Sequence, residues 1–346
     1  MPFHLAKETH QVLDLNGNLI SEAPSLTDDE HLQLYRWMVL GRVYSNRMVA
    51  LQRQGRMGTF APHIGQEASA AIATNLRDGD WISGSYREMI AYMVKGASIL
   101  DLMASTRGAH TSGYTPEVGC LPIQIVLATQ MLHAAGLAMA MKYEGKPNVS
   151  VGVCGDGATS EGDFNEALNF AGVYQAPFVA VVQNNGWAIS VPRHKQSATE
   201  QLAHRGPAFG LPGYIVDGND VLAVHKVMKD CIDRARDGGG PSLVELMTYR
   251  MGAHTTADDP TKYRPSEDLD TWQKQDPIQR YRTFLRKQDI LNDDQDEQLH
   301  EESMAKMQAA VEAFESQPPS NPADLFDHVY ETPTPQLLAQ RDEMLP

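Results

Sequence analysis

The sequence predicts an α/β protein, a mostly parallel sheet with helices on both faces. Two observations carry this. From Pro147 the chain alternates strand, helix, strand, helix, strand, the rhythm of a parallel sheet wrapped by helices. Glycine- and amide-rich clusters stand where its first two strands end, and ligands of such sheets bind at the carboxyl ends of strands.

In chain order, residues 1–26 read as an irregular arm with "LNGN" as a turn. "TDDE", Thr27 to Glu30, is a capping box opening a helix whose apolar spacing comes from Leu34, Met38 and Val39. A second helical pattern goes with "GQEASAAIATNL". "IVLATQMLHAAGLAMAMKY" is apolar nearly all round and is expected to be a buried helix. "NVSVGVC" is a strand, "EGDFNEALNFAGVY" a helix and "PFVAVVQ" a strand. "GYIVDG", "DVLAVHKVMKDCIDRARDG" and "SLVELMTYR" then repeat strand, helix and strand. After Asp258 the chain turns charged and proline-marked, and two amphipathic helices precede the breaker "QPPSNPADLF". The expected division is an arm over 1–26, one domain over 27–330 and a tail over 331–346.

With 346 residues, 42% of them hydrophobic, the chain can bury a large core. A formal charge of −15 argues against nucleic acid or an anionic membrane as partner. Three cysteines without a CxxC pair make neither a disulfide framework nor a zinc site, and Cys154 reads as a core thiol. "MPFHLAKETH" lacks an apolar signal region, and no apolar run reaches membrane-spanning length, so a cytoplasmic location is expected.

The chemistry concentrates in "GDGATSEGDF" and "QNNGWAIS". Glycine on both sides of Asp156 lets backbone approach a bulky anion, and the following helix would offer free N–H groups. A carboxylate there would repel a diphosphate unless a divalent cation lay between them. Magnesium combines a few protein oxygens with substrate phosphates. Asp156 offers a charged oxygen, the Asn185 amide a neutral one and the Trp187 carbonyl a third. The same residues also suit plain turns. A GxGxxG dinucleotide fingerprint and a P-loop are both absent.

The spacing GDG…NN is that of the thiamine-diphosphate motif. With "GTFAPHIGQEASAA", "GSYRE", "YRMGAHTTADDPTKYR" and "DLFDHVY", the chain from about Thr27 resembles the alpha subunit of the decarboxylating dehydrogenase component of 2-oxo acid dehydrogenase complexes. The resemblance implies a thiamine-diphosphate-binding fold. Asp156 and Asn185 match the family's side-chain magnesium ligands, and Trp187 its carbonyl ligand. Gly157 and Ala158 match the loop contacting the diphosphate, and Tyr86 and Arg87 a cofactor-contacting pair. Leu127 matches an apolar residue near the aminopyrimidine. Thr129 and Gln130 match a potassium site of branched-chain members. Arg250 and His254 match residues that close over the cofactor on a mobile loop, where Thr255 stands at a position that relatives phosphorylate. By residue type alone Arg87 reads as a surface cation, Leu127 as core and His254 as a loop cap. His63 and His110 gain no role, and Asp163 and Glu166 form either an acidic water path or a solvated helix face.

The activity implied is decarboxylation of a 2-oxo acid with transfer of the acyl group to a lipoyl group on the acyltransferase component. Pyruvate is slightly favoured; branched-chain 2-oxo acids and acetoin are the alternatives. The chain shows no pyrimidine-binding domain, so a separate beta subunit and an α2β2 assembly are implied. A nicotinamide-dependent oxidoreductase and an inactive scaffold are the readings from other classes.

Overall fold

Six strands, all joined to their neighbours in parallel, form the sheet in the computed structural model, which describes residues 8–107, 114–318, 321–327 and 329–345. The chain enters through β1 (Thr9–His10), then α1 (Asp28–Arg53), β2 (Trp81–Ser83), α2 (Met89–Lys95), α3 (Ile99–Ala104) and α4 (Thr129–Tyr143). β3 (Ser150–Gly155), α5 (Gly162–Tyr174) and β4 (Phe178–Asn184) follow. A small hairpin, β5 (Trp187–Ala188) with β6 (Val191–Pro192), then leads to the one-turn α6 (Arg193–Gln196). β7 (Gly213–Asp217), α7 (Val221–Arg236) and β8 (Ser242–Met247) complete the sheet. The chain ends in α8 (Ser266–Gln273), α9 (Pro277–Lys287), α10 (Asp293–Ser316), α11 (Asp324–Asp327) and α12 (Pro335–Met344).

The sheet order is β1-β7-β8-β4-β3-β2. From β3 to β4 the chain steps one way across the sheet, and from β7 to β8 it steps the other way. Right-handed crossovers therefore put α5 on one face and α7 on the opposite face. The core divides accordingly. Val151, Val153, Val179 and Val181 pack with α1 and α7, while Cys154, Phe178, Ala180 and Val182 pack with α4 and α5. Where the stepping reverses, beside β4 and β8, a crevice opens outside the carboxyl ends of the strands.

Thr27 caps α1 as its sequence predicts: its hydroxyl accepts the Glu30 N–H, and the Glu30 carboxylate accepts the Thr27 N–H at 2.7 Å. Gly17 in "LNGN" has φ +71°, and a Cβ there would lie 2.7 Å from the Phe284 nitrogen. Cys120, Cys154 and Cys231 are buried free thiols. Among the described residues no helix is long and apolar enough to cross a membrane.

Three expectations are corrected. The arm is not wholly irregular, since β1 extends the sheet beyond β7 and the Val12 and Leu13 N–H groups donate to buried Asp220. "GQEASAAI" winds as a 3-10 helix over Glu67–Ile72; every residue of it is buried, and Glu67 folds back onto the Gly65 N–H and Arg42. The helix expected from "IVLATQ…" starts only at Thr129, after Ala128 at φ +69°, and leaves His133, Gly136 and Ala140 exposed. Its flank carries Ile125 and Val126 at 69% and 70% exposure, and the neighbouring α5 exposes Phe170, Val173 and Tyr174.

Candidate active site

Strand register brings the predicted clusters together. Gly155 at the end of β3 pairs with Gln183, and Asn184 at the end of β4 pairs with Met247 of β8. The residues just past those ends, Asp156, Asn185 and Arg250, therefore share one edge. There the chain forms an open cleft with a cavity volume of about 140 Å³. Asp156, Gly157, Ala158, Asn185 and Trp187 line one part of it; Tyr86, Arg87, Leu127 and His254 line the rest.

Asp156 is 1% exposed, and its Oδ2 has no hydrogen-bond partner among the described residues. Burial pushes its carboxyl up to about 6, against the pull of its own and Asn185's N–H groups. An orphaned buried carboxylate oxygen calls for a cation or another donor. Nearby oxygens suit a hard cation. The Asn185 Oδ1 accepts the Trp187 N–H at 3.3 Å, and the Trp187 carbonyl takes a 3.3 Å contact from Arg250 Nη1. Among the described residues no group of three His, Cys, Asp or Glu could hold a metal ion by itself. A cation here would thus need a ligand's own oxygens, the habit of magnesium on a phosphate.

The glycines fit an anion cradle. A Cβ on Gly157 would lie 2.8 Å from the Ala188 Cβ, whereas one on Gly155 would meet nothing within 4 Å and would fill cleft space. The expected helix N-terminus is displaced: a 3-10 turn, Asp156–Ser160, comes first and α5 begins at Gly162.

Arg87 and His254 line another part of the cleft. Arg87 is 6% exposed and has no ion-pair partner among the described residues. It donates to the Pro62 carbonyl, to the His254 carbonyl at 3.0 Å and to His254 Nδ1 at 3.3 Å. Because guanidinium only donates, His254 Nδ1 is an acceptor and the ring proton sits on Nε2. Burial, then Arg87 and Arg250, push His254 down to about 4, so the ring is neutral near pH 7. Tyr86 packs edge-on against it at 5.9 Å.

Arg250 does not line the cleft. It is fully buried behind the cleft wall, donating to the Ile189 carbonyl and the Tyr263 hydroxyl, each at 2.7 Å. Ile189, at φ +57°, is a β-branched residue in the left-handed region, and that strain is held at the cleft wall. The loop after Arg250 is better anchored than its composition suggests. Asp258 accepts the His254 N–H at 2.7 Å and the Tyr263 hydroxyl at 2.5 Å, and the Tyr263 ring packs 5.3 Å from Trp187.

Gln130 lines the cleft, buried, with its Oε1 unpartnered among the described residues, whereas Thr129 does not line it. His63 is buried against Tyr44 with its Nε2 on the Gly41 carbonyl, away from the cleft. Asp163 and Glu166 lie on α5 outside the cleft, Glu166 exposed. His110 lies outside the described residues. Sequence reasoning gave no role to Gln66, Glu88 and Gln183, three buried polar residues lining the cleft. Gln66 and Glu88 belong to the motifs "GQEA" and "SYRE", and Gln183 is the last residue of a predicted strand.

The fold and the cleft define a protein that presents a switch-point crevice, one orphaned carboxylate and a buried arginine to an anionic ligand. Comparison with known proteins narrows the class. The family model described as "Dehydrogenase E1 component" matches residues 35–323. A Staphylococcus aureus protein named pyruvate dehydrogenase E1 component subunit alpha is 41% identical over 97% of this chain and 92% of its own. One of the same name from Acholeplasma laidlawii is 41% identical over 95% and 97%. The 3-methyl-2-oxobutanoate dehydrogenase subunit alpha of Mycobacterium tuberculosis is 43% identical over 90% and 85%. The chain belongs to this family, as the alpha subunit of a thiamine-diphosphate-dependent, acyl-transferring 2-oxo acid dehydrogenase.

Proposed function

We propose that this chain is the alpha subunit of an α2β2 enzyme that decarboxylates pyruvate and passes the acetyl group to a lipoyl group of an acyltransferase component. The observation that carries the site assignment is the orphaned Asp156 oxygen in the cleft. Asp156, Asn185 and the Trp187 carbonyl hold magnesium in this reading, Gly157 and Ala158 contact the diphosphate, and Arg87 and Tyr86 bind its far side. Leu127 is the apolar wall toward the aminopyrimidine. Thiamine diphosphate, when bound, supplies the nucleophilic carbon and the electron sink. The protein binds, orients and excludes water. His254 holds a proton on Nε2, fixed by Arg87, where it stabilises developing negative charge or returns a proton. Arg250 buttresses the Trp187 carbonyl from behind. Potassium at Thr129 and Gln130 belongs to the same proposal, supported by the free Gln130 Oε1. Residues 27–330 form the cofactor domain in this reading, with 1–26 as arm and 331–346 as tail.

The beta subunit is supported by two features. Glu88 is the one glutamate lining the cleft among the described residues, and both its oxygens are engaged by N–H groups, which agrees with a beta subunit supplying the carboxylate for the aminopyrimidine. The apolar surface of Ile125, Val126, Phe170 and Val173 suits burial against a partner.

A branched-chain substrate is the second reading, favoured by the Mycobacterium tuberculosis relative. The test is assembly with a beta subunit, a lipoyl domain as acceptor, and turnover of pyruvate against 2-oxoisovalerate. Pyruvate is expected to win by at least about tenfold in kcat/KM, about 1.4 kcal/mol in barrier. Preference for 2-oxoisovalerate establishes the second reading; no turnover of either overturns both.

A further inference from the structure

Four buried side chains from three segments of the chain are joined end to end along the wall of the cleft. Asn185 Nδ2 donates to Gln66 Oε1 at 3.3 Å, and Gln66 Nε2 donates to Gln183 Oε1 at 3.3 Å. Gln183 Nε2 then donates to Glu88 Oε1 at 2.9 Å. The other Glu88 oxygen accepts the N–H groups of Ser85 at 2.7 Å and Arg87 at 3.3 Å.

The two ends of an amide have almost the same shape and opposite hydrogen-bonding character, so an isolated amide can face either way. Glu88 removes that freedom. Three N–H groups converge on it, and a carboxylate only accepts. Gln183 must turn its nitrogen toward Glu88, which turns its oxygen toward Gln66. Gln66 must then offer nitrogen to Gln183 and oxygen to Asn185. Asn185 has to spend its nitrogen on Gln66, and its oxygen is left toward the cleft. The Trp187 N–H on Asn185 Oδ1 agrees with this polarity.

We infer that Glu88, Gln183 and Gln66 are positioning residues that fix which end of the Asn185 amide faces a divalent cation. The inference rests on the proposed role of Asn185 as a cation ligand. A reversed amide would present its N–H₂ to the cation and repel it. The same carboxylate pins the turn that carries Arg87, so the cation side and the cationic side of the site share one anchor.

The experiment titrates Mg²⁺-dependent binding of thiamine diphosphate to the assembled enzyme by calorimetry, and records melting without cofactor. Glu88→Gln keeps the shape. Its amide must give its oxygen to the Ser85 and Arg87 N–H groups and its nitrogen to Gln183, which drives the chain of amides toward the opposite polarity. Mg²⁺ affinity is expected to fall at least tenfold while cofactor-free melting changes little. Adding Asn185→Asp, which has an oxygen at both ends, is expected to recover affinity in that background. Gln66→Met breaks the middle link and is expected to lose affinity similarly; where Glu88→Gln yields no folded enzyme, this variant decides. Wild-type affinity in Glu88→Gln or Gln66→Met overturns the relay alone, and so does loss without recovery in the double variant. A wild-type enzyme whose cofactor binding ignores Mg²⁺ overturns the cation reading beneath it.

Discussion

Asp156→Asn separates the two things that a buried orphan carboxylate does. Without cofactor, the charge at a 1% exposed position with an unpartnered Oδ2 works against folding. Burial lifts the carboxyl from 3.8 to about 6, so its charged form costs about 3 kcal/mol of folding at neutral pH. The amide left without a partner keeps about 1 kcal/mol of that, and removing the charge is expected to return about 2 kcal/mol. Unfolding entropy of about 2.1 cal/mol/K per residue, over 346 residues, gives about 0.7 kcal/mol per kelvin. The cofactor-free variant should therefore melt about 3 °C higher than wild type. With Mg²⁺ and thiamine diphosphate at a thousand times Kd, wild type gains about 4 kcal/mol, or about 6 °C, and the variant gains almost nothing. The order of melting thus reverses on adding cofactor. Scanning calorimetry of the assembled enzyme, with and without Mg²⁺ and cofactor, reads both. A variant that melts no higher than wild type when empty, and still shows the full magnesium-dependent rise, refutes the reasoning.

Gly157→Ala places a Cβ 2.8 Å from the Ala188 Cβ, so the turn must shift and cofactor affinity should drop at least about tenfold in the same calorimetric titration. His254 is depressed to about 4 in the folded chain against 6.5 for the free group, so the unfolded chain takes up the proton first as pH falls. The stability tied to neutral His254 is present above pH 6.5 and is lost toward pH 4, and His254→Gln should lose less stability than wild type between pH 7.5 and 4.5 in denaturant titrations. Equal acid slopes would contradict this. Tyr263→Phe removes hydroxyl contacts with Arg250 and Asp258, and hydrogen exchange across 250–264 should quicken about tenfold. Unchanged protection would show that the Trp187 packing alone holds the loop.

The four inner strands β3, β4, β7 and β8 were legible because they are short apolar runs separated by helices, and that alternation has one main architectural solution. The outer strands β1 and β2 were not, being only two and three residues long. The site was legible where glycine, carboxylate and amide fall at strand ends, as at Asp156 and Asn185. It was not legible where a side chain acts through another. Gln66 and Glu88 come from different segments and are joined through Gln183 only because the Glu67–Ile72 turn and the Arg87 turn close on the end of β4. Arg250 was expected at the ligand and stands behind the wall, since its strand ends level with β4 and its side chain fills the space under Ile189. The apolar helix α4 misled for a related reason: hydropathy reports that a face will be covered, not that this same chain covers it.

The central claim is that Asp156 and Asn185 hold the cation that ties a diphosphate to this chain. Anomalous diffraction from crystals of the assembled enzyme, grown with thiamine diphosphate and Mn²⁺ in place of Mg²⁺, tests it most directly. The account predicts one manganese peak in the cleft, bonded to an Asp156 carboxylate oxygen, the Asn185 amide oxygen and the Trp187 carbonyl, with diphosphate oxygens completing the shell. A peak away from these residues, or an ordered cofactor with no metal beside Asp156, contradicts it.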